Sequence, residues 1–142
     1  MSADRLRLKV VTPERVAVEA EADEVSVPAA LGMVGILPGH APLLASLRTG
    51  ELEYRLASSH HSVAVFGGFL EVKDNVVTVL ADAGELPDEI DLGRAQAQRS
   101  AAELAMQREG GAALDEARQQ LAAATTRITV AGRRSAPSAH VD

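Results

Sequence analysis

The sequence predicts an α+β fold, an antiparallel β-sandwich or barrel followed by a C-terminal two-helix hairpin. Three observations carry that reading. Up to about Ala81, apolar and polar residues alternate with a period of two. The alternation stops at Gly84-Glu85-Leu86-Pro87. Beyond it, residues 91–131 hold twelve alanines and no proline, with Gly110-Gly111 as the interruption.

The strands come first. Leu6, Leu8 and Val10 alternate with Arg5, Arg7 and Lys9, and Val16, Val18 and Ala20 with Arg15, Ala17, Glu19 and Glu21. Val25 and Val27 follow, then Leu52, Tyr54 and Leu56 against Glu51, Glu53 and Arg55. A side-chain period of two gives a strand with one buried face. Thr12-Pro13, Pro28, Gly50 and Gly67-Gly68 punctuate the run as turns. Glu71 to Thr78 predicts a tight hairpin at Asp74-Asn75, two residue types that tolerate positive φ. Many short strands with close turn signals predict a sandwich or barrel, and the absence of strand–helix alternation excludes a parallel nucleotide-binding sheet.

The helices follow Pro87. Asp88-Glu89-Ile90-Asp91 predicts a helix start with Asp88 as cap and early carboxylates matched to the helix dipole. Gly110-Gly111 divides the alanine-rich stretch into two helices. On the second, Leu114, Ala117, Leu121, Ala124, Ile128 and Ala131 recur at spacings of three and four, and their expected partners on the first are Ala97, Ala101 and Leu104. Alanine favours helix strongly but buries little area, so such helices form easily and hold each other weakly. Residues 1–87 are expected to form the β domain, 88–132 the helical hairpin and 133–142 a disordered tail.

Composition bounds the chemistry. The chain has 142 residues, no cysteine, no tryptophan and only Tyr54, Phe66 and Phe69 as aromatics. Disulfides, thiolate metal sites and cysteine nucleophiles are excluded, and the aromatic platforms that stack single-stranded bases are missing. Residues 1–90 carry 7 basic and 14 acidic side chains, an imbalance that argues against nucleic-acid binding. Residues 91–142 carry 7 basic and 6 acidic ones, the basic ones all arginine. No stretch is long and apolar enough for a membrane span, and the N-terminus has no signal-peptide pattern. His40, His60, His61 and His140 show no metal-ligand spacing. His60-His61 is expected in a surface loop joining two strands. No phosphate loop, dinucleotide fingerprint or nucleophile elbow occurs, so no catalytic residue is assigned.

Ala30-Leu31-Gly32-Met33-Val34-Gly35-Ile36-Leu37-Pro38-Gly39-His40-Ala41-Pro42-Leu43-Leu44 reads as a rigid loop between strands, with His40 presented at its tip. This segment resembles the signature of the epsilon subunits of F-type ATP synthases. Val10-Val11-Thr12-Pro13-Glu14, Glu21 to Val25, Val65 to Val72 and Val76 to Asp82 are similar to that family's strands, in the same order. Ile90-Asp91-Leu92-Gly93-Arg94-Ala95 resembles the motif that opens its C-terminal helices.

The resemblance implies a non-catalytic rotor subunit of the bacterial type, peripheral on the cytoplasmic face of the plasma membrane through its partners. Those partners are the gamma subunit, the c ring and the α/β catalytic head. The contact loop would consist of Gly32, Gly35, Pro38, Gly39, His40 and Pro42. It also implies that the hairpin inhibits ATP hydrolysis, with Arg99, Arg108, Arg118 and Arg127 meeting acidic partners. An ATP site would draw on Glu85, Ile90, Asp91, Arg94, Ala95, Arg99 and Arg127, with Arg99 offset by two positions. Ala123 stands where the family has another arginine. Losing one charge-assisted phosphate contact removes roughly 1.5–3 kcal/mol, so weak ATP binding is expected. Two other classes fit the residues less fully. One is a free-standing β-sandwich binding module with a helical tail. The other is a small hydrolase or isomerase that pairs His40 with a carboxylate such as Glu71.

Overall fold

The computed structural model describes residues 5–134, which form two compact units divided between Glu85 and Leu86. The first holds ten strands: β1 (Leu6–Val11), β2 (Val16–Ala22), β3 (Glu24–Ala29), β4 (Gly32–Ile36), β5 (Leu43–Leu47), β6 (Gly50–Leu56), β7 (Ser59–Val65), β8 (Gly68–Lys73), β9 (Val76–Ala81) and β10 (Gly84–Glu85). The second holds α1 (Leu92–Arg108) and α2 (Gly111–Ala131), preceded by a 3₁₀ turn at Pro87–Glu89 and followed by another at Gly132–Arg134. Residues 135–142 of the expected tail lie outside the described residues.

The strands run β10-β7-β6-β3-β5-β8-β9-β1-β2 in one continuous hydrogen-bonded path, with β4 paired to β3 off that path. All pairs are antiparallel except β1 with β9, where Arg7–Val11 lies in parallel register with Val76–Leu80. The sequence reading had no parallel pair, because pairing direction is set by how distant strands meet and not by local pattern. The sheet folds over at β3, whose Glu24–Ser26 pairs with β6 and whose Ala29 pairs with Leu47 of β5. Leu6, Leu8, Val10, Val25, Val27, Ile36, Leu52, Val63, Val65, Leu70, Val72, Val77 and Val79 fill the interior and are fully or almost fully buried. This is the aliphatic core that a chain nearly free of aromatics must build, each such side chain contributing about 1.5–3 kcal/mol on burial.

Turn chemistry fixes the registers. Asp74 and Asn75 adopt φ of 53° and 63° between paired Lys73 and Val76, the two-residue turn whose twist suits a hairpin. Ala57 takes φ 54° at the β6–β7 turn, and its N–H donates to Asp23 Oδ2 at 2.7 Å. That bond, followed by the weaker influence of Arg5 and Arg55, holds the Asp23 carboxyl below its ordinary pKa against an opposing push from burial. Gly68 sits at φ 121° opposite Ala81, and a Cβ there would lie only 2.0 Å from Leu80 O. His60 and His61 are not in a loop as the sequence suggests. The turn is tight at Ala57-Ser58, so both belong to β7, opposite Arg55 and Tyr54. The His61 ring stacks on Tyr54 with centroids 4.9 Å apart.

In the second unit the helix cap differs from expectation. Asp88 lies inside the 3₁₀ turn, where Leu86 N donates to Glu89 Oε1 at 2.8 Å. Ile90 then runs extended, and Asp91 becomes the cap of α1, accepting from Arg94 N at 3.0 Å. The break at Gly110-Gly111 falls where the sequence puts it, with Gly111 at φ 59°. On α2 the expected seam holds. Ala117, Ala124 and Ala131 are buried, joined by Thr126 and Val130, while Leu114, Leu121 and Ile128 are half-buried. On α1 the expected face is wrong. Ala97, Ala101 and Leu104 are exposed, and Ala95 and Ala102 are buried, with Gln98 and Ala105 half-buried. Alanines spread around α1 define no face by themselves. Gln98, between the buried Ala95 and Ala102, lies on the inward side and bonds to α2.

Truncation after Asp88 is expected to leave a sandwich that unfolds cooperatively on heating, since its core residues lie within residues 6–81. Loss of the thermal transition in the truncated chain, followed by far-ultraviolet circular dichroism, would contradict this.

Candidate functional site

The glycine–proline segment is half strand and half loop. Gly32–Ile36 forms β4, pairing along β3 from Ala29↔Gly32 to Val25↔Ile36. Reading it all as loop missed this because glycine keeps both backbone hydrogen-bonding groups and joins a ladder wherever a partner strand is available. The true loop is Leu37 to Pro42. His40 N donates to Leu37 O at 3.1 Å across Pro38 and Gly39, and Gly39 has φ 89°. Proline second and glycine third with positive φ make a type II turn. Gly39 is needed for its backbone angle, since nothing lies within 4 Å of a Cβ placed there. The Gly39 N–H is received by Asn75 Oδ1 at 2.8 Å. His40 Nδ1 lies 2.7 Å from Ala41 O, so the ring is engaged with its own loop. Gly35 and Pro42 are exposed, Gly32 and Pro38 half-buried.

Apolar side chains that the sequence reading did not single out flank this loop. Leu31 stands fully exposed at the β3–β4 turn, Met33 is half exposed and Leu44 is 74% exposed. All three line one groove of about 460 Å³ between β4 and β5. Leu31 had a readable signal, a large aliphatic residue at a two-residue turn where polar residues are the rule. A second apolar row crosses the outer face of the sheet. Phe69 pairs with Leu80, Leu80 with Val11 and Val11 with Val16, and Phe69, Leu80 and Val16 are all more than half exposed. Contiguous exposed apolar surface of this kind marks protein contact.

The residues named for ATP divide between the units. Glu85 belongs to β10, paired with Ala64. Ile90 and Ala95 belong to the helical unit and are buried, while Asp91, Arg94 and Arg99 are exposed. Arg127 is half-buried and its Nη1 donates to Gln98 Oε1 at 3.0 Å. Gln98 Nε2 in turn donates to Gln120 Oε1 at 2.7 Å, and Gln120 Nε2 donates to Glu116 Oε2 at 3.1 Å. Three side chains of α2 are thus tied to one of α1 by a polar chain that runs along the alanine seam. Arg108 is exposed in the last turn of α1, and Arg118 lies 3.6 Å from Asp115 one turn earlier. Among the described residues there is no cluster of three potential metal ligands, and no helix is long and apolar enough to cross a membrane.

Comparison with known proteins accounts for this arrangement. The family described as ATP synthase, Delta/Epsilon chain, beta-sandwich domain matches residues 5–87. An ATP synthase epsilon chain of Herpetosiphon aurantiacus is 47% identical over 128 residues, 89% of this chain and 93% of that one. Another, from Halalkalibacterium halodurans, is 42% identical over 130 residues, 90% of this chain and 98% of that one. A chain in the structure of the OSCP/F1/c-ring part of Euglena gracilis mitochondrial ATP synthase shares the fold at a TM-score of 0.77 and 19% identity, over 87% of this chain and 79% of that one. A match that takes in both the sandwich and the helices, at that level of identity, leaves one reading: the chain belongs to the ATP synthase epsilon chain family.

Proposed function

We propose that this chain is a non-catalytic central-stalk subunit that couples proton flow through a c ring to ATP synthesis in an α/β catalytic head. The observation that carries the proposal is the type II turn at Pro38-Gly39, which holds His40 in a short loop between β4 and β5, the strands bordering the groove lined by exposed Leu31, Met33 and Leu44. A short, conformationally restricted loop flanked by apolar side chains loses little entropy on docking, as a rotor contact requires. Gly32, Gly35, Pro38, Gly39, His40 and Pro42 form the c-ring contact in this reading. The outer row of Phe69, Leu80 and Val16 offers the gamma subunit a dry patch. The chain then sits peripherally on the cytoplasmic face of a bacterial plasma membrane, held there by its partners. The Euglena relative by fold comes from an assembly of F1 with a c ring, and a second, from Tetrahymena thermophila, from a central stalk with a c ring.

The helical hairpin supplies regulation in this proposal. Its seam is mostly alanine and therefore weak, and Arg99, Arg108 and Arg118 are exposed for acidic partners once it opens. Arg127 joins them after releasing Gln98. ATP binds the closed hairpin only weakly, because Ala123 contributes no phosphate contact and Arg127 is already engaged by a side chain of its own hairpin.

The test is made in the assembled enzyme. Tagged chain should carry gamma, the c ring and the catalytic head with it on purification. Gly39→Val puts a β-branched residue at φ 89°, at a cost of about 1–3 kcal/mol, and should weaken assembly or proton-coupled synthesis roughly tenfold or more. His40→Ala removes only a ring turned onto its own loop and should cost less than about 1 kcal/mol of docking. Equal and negligible effects of both substitutions would remove the loop from the interface.

A further inference from the structure

We propose that Asn75 is the positioning residue of the Pro38–Gly39–His40 turn, fixing the direction in which that turn meets its partner. The inference rests on the reading of the loop as a docking element.

A type II turn uses one hydrogen bond of its own, here His40 N to Leu37 O. Its central amide, Gly39 N–H, points away from the turn and is free to bond outside it. Asn75 Oδ1 accepts it at 2.8 Å, from 36 residues further along the chain. The acceptor is itself held firmly. Asn75 O accepts from Arg7 N at 2.8 Å, and the turn it occupies is closed by the Lys73↔Val76 pair. The loop's two ends are tied by strand pairing, Ile36 to Val25 and Leu43 to Val72. Asn75 ties its middle.

The choice of residue points the same way. At φ 63° in a two-residue hairpin turn, glycine is the residue with least strain, and Asp-Gly is the favoured dipeptide. This chain has Asp74-Asn75 instead. Asparagine tolerates the left-handed angle through its short polar side chain, at more strain than glycine. It adds the side-chain acceptor that Gly39 uses.

That difference makes the test specific. Asn75→Gly keeps the turn and deletes the acceptor. Asn75→Asp keeps the acceptor as a carboxylate. In the full chain, amide exchange at Gly39 is expected to quicken about fivefold in Asn75→Gly, the equivalent of one ordinary hydrogen bond. Exchange at Val77 and Val79 in the sandwich core should stay unchanged, and the melting temperature should hold or rise. Asn75→Asp should restore slow exchange at Gly39. Unchanged exchange at Gly39 in Asn75→Gly, or no restoration by Asn75→Asp with the core still protected, overturns the assignment. In the assembled ATP synthase, Asn75→Gly should lower proton-coupled synthesis while Asn75→Asp retains it. Faster exchange in the free chain without any loss of coupling in the assembly would leave the hydrogen bond in place and overturn the docking role of the loop.

Discussion

Gly68→Ala should destabilise the sandwich by about 3–5 kcal/mol, summing the strain of a non-glycine residue at a forbidden angle with a backbone clash. The site leaves no room for relief. Its φ is 121°, and the added Cβ would meet Leu80 O at 2.0 Å and Ala81 Cα at 2.8 Å, both backbone atoms in a paired strand. The strands would have to part where β8 enters the sheet. Urea unfolding of the full chain reads the effect directly. Gly35→Ala is the control, because no atom lies within 4 Å of its added Cβ and no positive φ is required there. It should stay within about 0.5 kcal/mol of the parent. A Gly68→Ala chain within about 1 kcal/mol of the parent would show that the two strands can separate at low cost.

The second large effect belongs to the hairpin. Deleting residues 89–142 from the assembled enzyme should raise ATP hydrolysis and leave assembly intact. One exposed ion pair contributes only about 0.2–1 kcal/mol, so inhibition needs several arginines acting together with burial of Leu114, Leu121 and Ile128. A sum of roughly 1–3 kcal/mol corresponds to a shift of about fivefold to a hundredfold in the inhibited population. Arg118→Ala alone should therefore do little, the more so because Arg118 has Asp115 beside it in the closed hairpin. If hydrolysis is unchanged by the deletion across nucleotide concentrations and membrane potentials, the hairpin only stiffens the rotor.

What the sequence made legible follows from where each piece of information resides. Leu6, Leu8 and Val10 announce a strand because the period of two is local. Asp74-Asn75 and Gly110-Gly111 announce turns because backbone angles are local too. Asp88 against Asp91 was not decidable, since either aspartate can cap and the choice depends on the 3₁₀ turn that Pro87 begins. The inward face of α1 was misread because Ala95, Ala97, Ala101 and Ala102 carry the same side chain. In the fold Ala95 and Ala102 turn inward, on the side where Gln98 bonds to Gln120 and Arg127.

The candidate site divided in the same way. Pro38-Gly39-His40 was visible as part of a rigid loop from its residue types. The hydrogen bond from Gly39 to Asn75 was not, because it joins two turns through the folded sheet. Leu44 looks like an ordinary aliphatic of a β domain until the structure turns it outward.

The parallel pairing of β1 with β9 has a consequence for synthesis on the ribosome. β2 leaves soon after β1 and can close one of its edges, but the other edge waits for residues 76–80. At roughly 5–20 residues per second, that interval lasts several seconds, long compared with the microseconds in which helices form. Through it, the inner face of Leu6, Leu8 and Val10 has no completed core to enter, and an open strand edge invites pairing with other chains. Arg7 and Lys9, on the opposite face of the same strand, are the charges that oppose such pairing. Those charges guard the open edge of β1 until β9 pairs with it.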